Sequence, residues 1–283
     1  MRTLIFIILV VMVCWFAADC ARAAEVQVPA NAVAGQPLTI TVNGGGTLLL
    51  IGPGQVIKRE AKSTSGSVEI KGEELRSAGR WIAVAGGQSQ VFWVKPGKPE
   101  NLSFLARPSR VPVARPNVIS GVTFVFDKYN NLIIDPVPVS FNLSVGGTGS
   151  TKTVTSKEGV AWINSNSAAK AGAAQFVASS GGAEVKRVVQ QVAADPCRLT
   201  MRVTGHTADR IIVETEPVRD CSGNPVPDGT IVSFIQTDKT GRSTVDARIK
   251  KGIARAELPA SDNATITVAA GVVLGNELHV GGR

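Results

Sequence analysis

The chain runs to 283 residues with a net charge of +8; 44% of its residues are hydrophobic and 5% aromatic. That length holds two or three domains of ordinary size. Its cations are scattered (Lys58-Arg59, Arg107, Arg110, Arg115, Lys186-Arg187, Lys250-Lys251) instead of lining one stripe, which argues against nucleic acid as a partner and fits a solvated surface.

Residues 1–24 read as a secretory signal peptide. Met1-Arg2 gives a short positive start, and Leu4 to Phe16 is an apolar run too short to cross a bilayer. Ala21-Arg22-Ala23 then offers the small-x-small pattern that a signal peptidase needs. Val13 before Cys14 and Asp19 before Cys20 lack the small residue that lipidation requires. No later run resembles a membrane span, so no stable membrane insertion is expected after cleavage. Removing the leader, with Arg2, Asp19 and Arg22, leaves a charge of +7 and only Cys197 and Cys221. Two cysteines in an exported chain most often pair, which predicts a disulfide.

Beyond the leader the pattern is that of strands almost throughout. Leu38, Ile40 and Val42 alternate with Thr39 and Thr41, and Val139, Phe141, Leu143 and Val145 alternate with Ser140, Asn142 and Ser144. Such alternation marks a strand with one buried face. The nearest helical candidate, Glu73 to Ala78, is one turn at most. Leu75, Gly79 and Trp81, followed by Ile82-Ala83-Val84-Ala85, resemble the Leu…Gly-x-aromatic entry to the penultimate strand of immunoglobulin-like domains. Lys95-Pro96-Gly97-Lys98-Pro99-Glu100 reads as a stiffened linker and Ala193-Ala194-Asp195-Pro196 as a shorter joint. These edges divide the mature chain into domains 25–96, 98–193 and 197–283, an extended semi-rigid rod. Trp93 and Trp162 fall in strands and are expected in the core.

Residues 127–161 repeat at 220–254, offset by 93 without a gap. Asp127, Asp135, Val139-Ser140-Phe141 and Gly159-Val160-Ala161 recur as Asp220, Asp228, Val232-Ser233-Phe234 and Gly252-Ile253-Ala254. A period near ninety suits one small β-sandwich and is too long for a solenoid repeat. Residues 25–96 do not share the register.

The run Asp220-Cys221-Ser222-Gly223-Asn224-Pro225-Val226-Pro227-Asp228-Gly229, then Val232-Ser233-Phe234, resembles a segment of the group 1 bacterial immunoglobulin-like domains of invasin and intimin rods. Lys251-Gly252-Ile253-Ala254 and Ala264-Thr265-Ile266-Thr267-Val268-Ala269 resemble the next two landmarks. The resemblance is clearest over 197–280. It is weaker over 101–192, where Tyr129-Asn130-Asn131-Leu132-Ile133-Ile134 replaces the Gly-Asn-Pro-Val-Pro core. It implies an all-β chain of tandem immunoglobulin-like sandwiches and a role in adhesion.

Catalytic signatures are missing. The two histidines, His206 and His279, sit beside no nucleophile, and Gly-x-Ser-x-Gly, His-Glu-x-x-His and Walker-type loops are absent. No cofactor is expected. Asp127 with Asn130, Asn131 and Asp135, or Asp220 with Asn224 and Asp228, offer oxygen ligands for calcium at the joints, although tight turns demand the same residues. Tyr129, the sole tyrosine, lies on an inter-strand loop; it is a candidate partner contact or a ring packed on the neighbouring domain. The chain is thus expected to be an exported, non-enzymatic surface or periplasmic module, displaying loops to a protein or glycan of the cell envelope. The alternative is a periplasmic assembly factor, chaperone-like, of a secretion or pilus system; that role needs an exposed edge strand.

Overall fold

A computed structural model describes residues 25–62 and 66–281; the expected signal peptide lies outside them. The regular elements among the described residues are all strands. In the first unit a three-stranded sheet runs β1 (Glu25–Gln27), β3 (Leu38–Asn43), β6 (Ser67–Ile70). Its five-stranded sheet runs β2 (Ala32–Val33), β8 (Gln88–Lys95), β7 (Gly79–Ala85), β4 (Gly46–Gly52), β5 (Gln55–Ala61). The middle unit has three strands in the order β14 (Val160–Ser165), β11 (Ile119–Phe126), β9 (Asn101–Arg107). Facing them are five, β10 (Arg110–Pro112), β16 (Ala183–Val192), β15 (Gly172–Ser180), β12 (Pro138–Val145) and β13 (Thr148–Thr155). The third unit pairs β17 (Met201–His206), β18 (Arg210–Thr215), β21 (Arg255–Pro259) with β20 (Gly241–Arg248), β19 (Ile231–Asp238), β22 (Ala264–Ala270), β23 (Val273–Val280).

Each unit closes around its own hydrophobic core. Leu38, Ile40 and Val42 point inward from β3, and Val139, Phe141, Leu143 and Val145 from β12, as their alternation predicts. Trp81 anchors the first core, its indole N–H donating to the Ser77 carbonyl at 2.9 Å. Phe104, Phe141 and Phe176 form an aromatic triangle in the second, with centroids 5.1–6.1 Å apart. Phe234 fills the third. Burying one such ring stabilises by about 1.5–3 kcal/mol relative to leaving it exposed. Gly52 is set by the first anchor: a Cβ there would stand 2.3 Å from the Trp81 ring.

Two expectations are corrected. Trp93 and Trp162 do lie in strands, but on the outer face, 63% and 65% exposed. Period two assigns the inward places to Phe92 and Val94, and to Ala161 and Ile163, so each tryptophan between them must face solvent. The stretch from Glu73 to Ala78 forms no helical turn of its own; a turn at residues 72–74 delivers Leu75 into the core.

Candidate partner-binding face and the joints that hold it

Both joints are made by one arrangement, used twice. Asp127 is 1% exposed at the end of β11. Its Oδ1 accepts the N–H groups of Tyr129 and Asn131, each at 2.9 Å, closing an Asx-type turn. Oδ2 accepts the linker N–H of Gly97 at 2.9 Å and the Asn131 amide at 2.8 Å. Asn131 then reaches into the first unit, donating to the Arg76 carbonyl at 2.7 Å and accepting the Ala78 N–H at 2.9 Å. Asp220 repeats the pattern. It accepts Ser222 and Asn224 N–H groups at 2.9 Å and the linker N–H of Ala194 at 3.0 Å. Asn224 donates to Ala169 at 2.6 Å and accepts from Ala171 at 2.8 Å.

The offset of 93 therefore reaches further back than the sequence repeat. Arg76 and Ala78 stand 93 residues before Ala169 and Ala171, so the first unit shares the register at its acceptor loop. Asn131 and Asn224, which the sequence offers only as turn residues or calcium ligands, are the residues that bridge the joints; they too are 93 apart, the signal that could have shown it.

Electrostatics favour the ionised aspartate. Burial alone would raise the Asp220 carboxyl, but the N–H groups of Asn224, Ala194 and Ser222 outweigh it and hold the group below the ordinary aspartate value. The Lys251 and Gly252 N–H groups likewise lower Asp228, whose carboxylate they bond at 2.9 and 3.2 Å. Asp135 is exposed and pairs with Lys95 at 3.5 Å. Both oxygens of Asp127, Asp220 and Asp228 thus have protein donors, and Asp135 has a lysine at one of its two. No group of three or more His, Cys, Asp or Glu side chains converges among the described residues.

The joints differ in what surrounds the shared bonds. At the first, the Tyr129 ring is partly buried against the first core, and a Cβ on Gly35, at φ +81°, would come within 2.7 Å of it. On the Asn131 side of the same joint lies a groove of about 470 Å³, lined by Trp93, Pro96, Leu132 and Ile134. At the second, Cys197 and Cys221, 24 positions apart, are bonded, and the Cys197 N–H donates to the Arg219 carbonyl at 3.0 Å.

The outer faces of the three short sheets diverge more. Reading one row across each, Gln27, Thr41 and Ser67 lie side by side in the first unit. Arg202, Glu214 and Arg255 do so in the third. The middle unit sets Leu105, Val122 and Trp162 in that row, with Phe124 and Val160 paired in the next. Leu105, Phe124 and Trp162 are exposed. Of the outward positions on β9, β11 and β14, Arg107 alone carries a charge. Apolar side chains contiguous on a solvated sheet, with aromatics enriched and charges depleted, have the composition of an interface core.

No family model matches this chain, and no curated protein matches it. Among solved structures it is similar to the Escherichia coli adhesin FdeC, at 15% identity and a TM-score of 0.60, covering 92% of this chain and 98% of that one. It is also similar to InvD of Yersinia pseudotuberculosis, at 16% identity and a TM-score of 0.53, covering 90% and 96%. The fold is accordingly a tandem of immunoglobulin-like β-sandwiches, shared with these two structures.

Proposed function

We propose that this chain is an exported, non-enzymatic adhesion-type module of three immunoglobulin-like sandwiches, a divergent one over 25–96 and two of the group 1 bacterial type over 98–193 and 197–283. It acts in the periplasm or at the cell surface, and its partner is a protein or glycan of the cell envelope. The observation that carries this reading is the row Leu105, Val122 and Trp162, apolar in the middle sandwich where its two neighbours are polar or charged. The adhesin FdeC and the InvD fold supply the precedent of architecture. Here the joints stiffen the rod and the middle face meets the partner; Tyr129, with its ring against the first sandwich, serves the joint.

The test is retention of solubilised cell envelope by the immobilised mature chain and by a Phe124→Ser/Trp162→Ser variant. The native chain should retain a component that the variant loses while keeping its thermal transition. Equal retention by both would remove the face from the account.

A further inference from the structure

Each sandwich ends its larger sheet in an edge strand, and the three edges are defended unequally. β5 carries Lys58, Arg59 and Glu60, and β20 carries Arg242, Asp246 and Arg248. β13 spans eight residues, Thr148-Gly149-Ser150-Thr151-Lys152-Thr153-Val154-Thr155, with one charge, no proline and no break in register against β12. Charge, proline and bulges are the devices that keep edge strands from pairing with another chain, and threonine and valine favour strands. β13 therefore lacks the protection its two counterparts have.

Its open hydrogen-bonding groups can be identified. Gly146 and Gly147, both at positive φ, form a two-residue hairpin loop that makes Val145 and Thr148 the closing hydrogen-bonded pair. Alternation from that pair turns the N–H and C=O of Gly149, Thr151 and Thr153 away from β12, toward solvent. The Thr151 and Thr153 side chains are held back on β12, bonded to Asn142 at 2.8 Å and Ser140 at 2.9 Å. At the Val154–Thr155 end of the strand lies a groove of about 410 Å³ with Val154, Val160, Ala161 and Trp162 in its lining together with Lys157 and Glu158.

We propose that β13 is an acceptor edge for an extended segment of a protein partner, which adds to the middle sandwich as a further strand. A row of free backbone donors and acceptors is matched by another polypeptide backbone, and the neighbouring groove takes apolar side chains from alternate positions of the incoming strand. The occupant is thus a peptide strand, uncharged over about six residues, with apolar residues at every second place. This inference names the partner as a protein; its edge strand, β13, lies outside the sheet that carries the Leu105, Val122 and Trp162 row, and Trp162 alone borders both.

The probe is a library of phage-displayed linear peptides selected on the full mature chain. Selected peptides should slow amide exchange across 148–155 and lose at least tenfold in affinity for a Thr151→Pro variant, which removes an outward N–H. Thr244→Pro, the matching change on β20, should leave their affinity unchanged. If Thr151→Pro disturbs the fold, Thr153→Glu supplies an edge charge with the backbone intact and should weaken binding similarly. Peptide binding should survive in a Leu105→Ser/Phe124→Ser variant, which alters the outer face and leaves the groove residues in place, so loss of the face and loss of the edge are read separately. The proposal is overturned if selected peptides protect another segment or bind Thr151→Pro equally well. It is overturned too if the edge becomes protected by protein concentration alone, which would make a second copy the occupant.

Discussion

The two joints share their bonds and differ in their setting, and the difference separates what holds the rod from what varies along it. In both, a buried aspartate gathers N–H groups from its own turn and from the linker, and an asparagine four residues on grips two backbone groups of the preceding sandwich. Around that common centre the first joint adds a tyrosine ring against Gly35, and the second adds a disulfide. Order between neighbours thus rests on repeated polar contacts, while each joint acquires its own reinforcement.

The strongest challenge to that equivalence is removal of the aspartates. Asp220→Ala strips acceptors from the N–H groups of Ala194, Ser222 and Asn224 and should cost about 4 kcal/mol in the unfolding of the third sandwich, at roughly 1–3 kcal/mol per orphaned donor. Asp127→Ala should cost the middle sandwich a similar amount; urea unfolding of both variants gives the comparison, and a large inequality would mean the joints are alike in geometry only. Cys197→Ser/Cys221→Ser should lower the stability of the third sandwich by about 3 kcal/mol and leave the first joint unaffected, as scanning calorimetry would record.

The reinforcement peculiar to the first joint is probed at Gly35. Gly35→Ala should destabilise by about 2 kcal/mol, since it combines a left-handed backbone with a ring at 2.7 Å. Tyr129→Ala in the same chain should recover part of that loss, and strict additivity in a double-mutant cycle would refute the contact. Acid should act at the second joint in a fixed direction. The folded Asp220 carboxyl lies below its ordinary value, so its stabilising contribution is complete above about pH 3.9 and declines as pH falls through the lowered folded value. Small-angle scattering should then report bending between the second and third sandwiches that Asp220→Asn makes independent of pH. The smallest effect on folding belongs to Trp162→Ser, within about 0.5 kcal/mol for a surface side chain, although envelope retention should fall.

Strand identity and core composition were legible from alternation, because Val139, Phe141 and their like report burial directly. The disulfide followed from counting cysteines once residues 1–24 are read as a leader. Trp93 and Trp162 were misjudged because an apolar residue in a strand declares its element before its face; reading parity from Phe92, Val94, Ala161 and Ile163 would have turned them outward. The joints were half visible. Asp127 and Asp220 stood out as a repeated pair, but their linker donors and the acceptor loops of the neighbouring sandwiches are 30 and 26 residues away or more, beyond what local turn chemistry announces. The apolar row was hidden for a related reason: Leu105, Val122 and Trp162 belong to three strands and become neighbours only once the sheet order is known.

Asn131 and Asn224 touch the preceding sandwich through carbonyl and amide groups alone, at Arg76 and Ala78 in one case and Ala169 and Ala171 in the other. Side-chain identity on the receiving loop is therefore irrelevant to docking: Arg-Ser-Ala and Ala-Lys-Ala serve equally. Modules joined this way are interchangeable parts. Duplication or recombination can lengthen or reorder such an array while keeping these bonds, and only an added contact such as Tyr129 on Gly35 has to be matched at the seam.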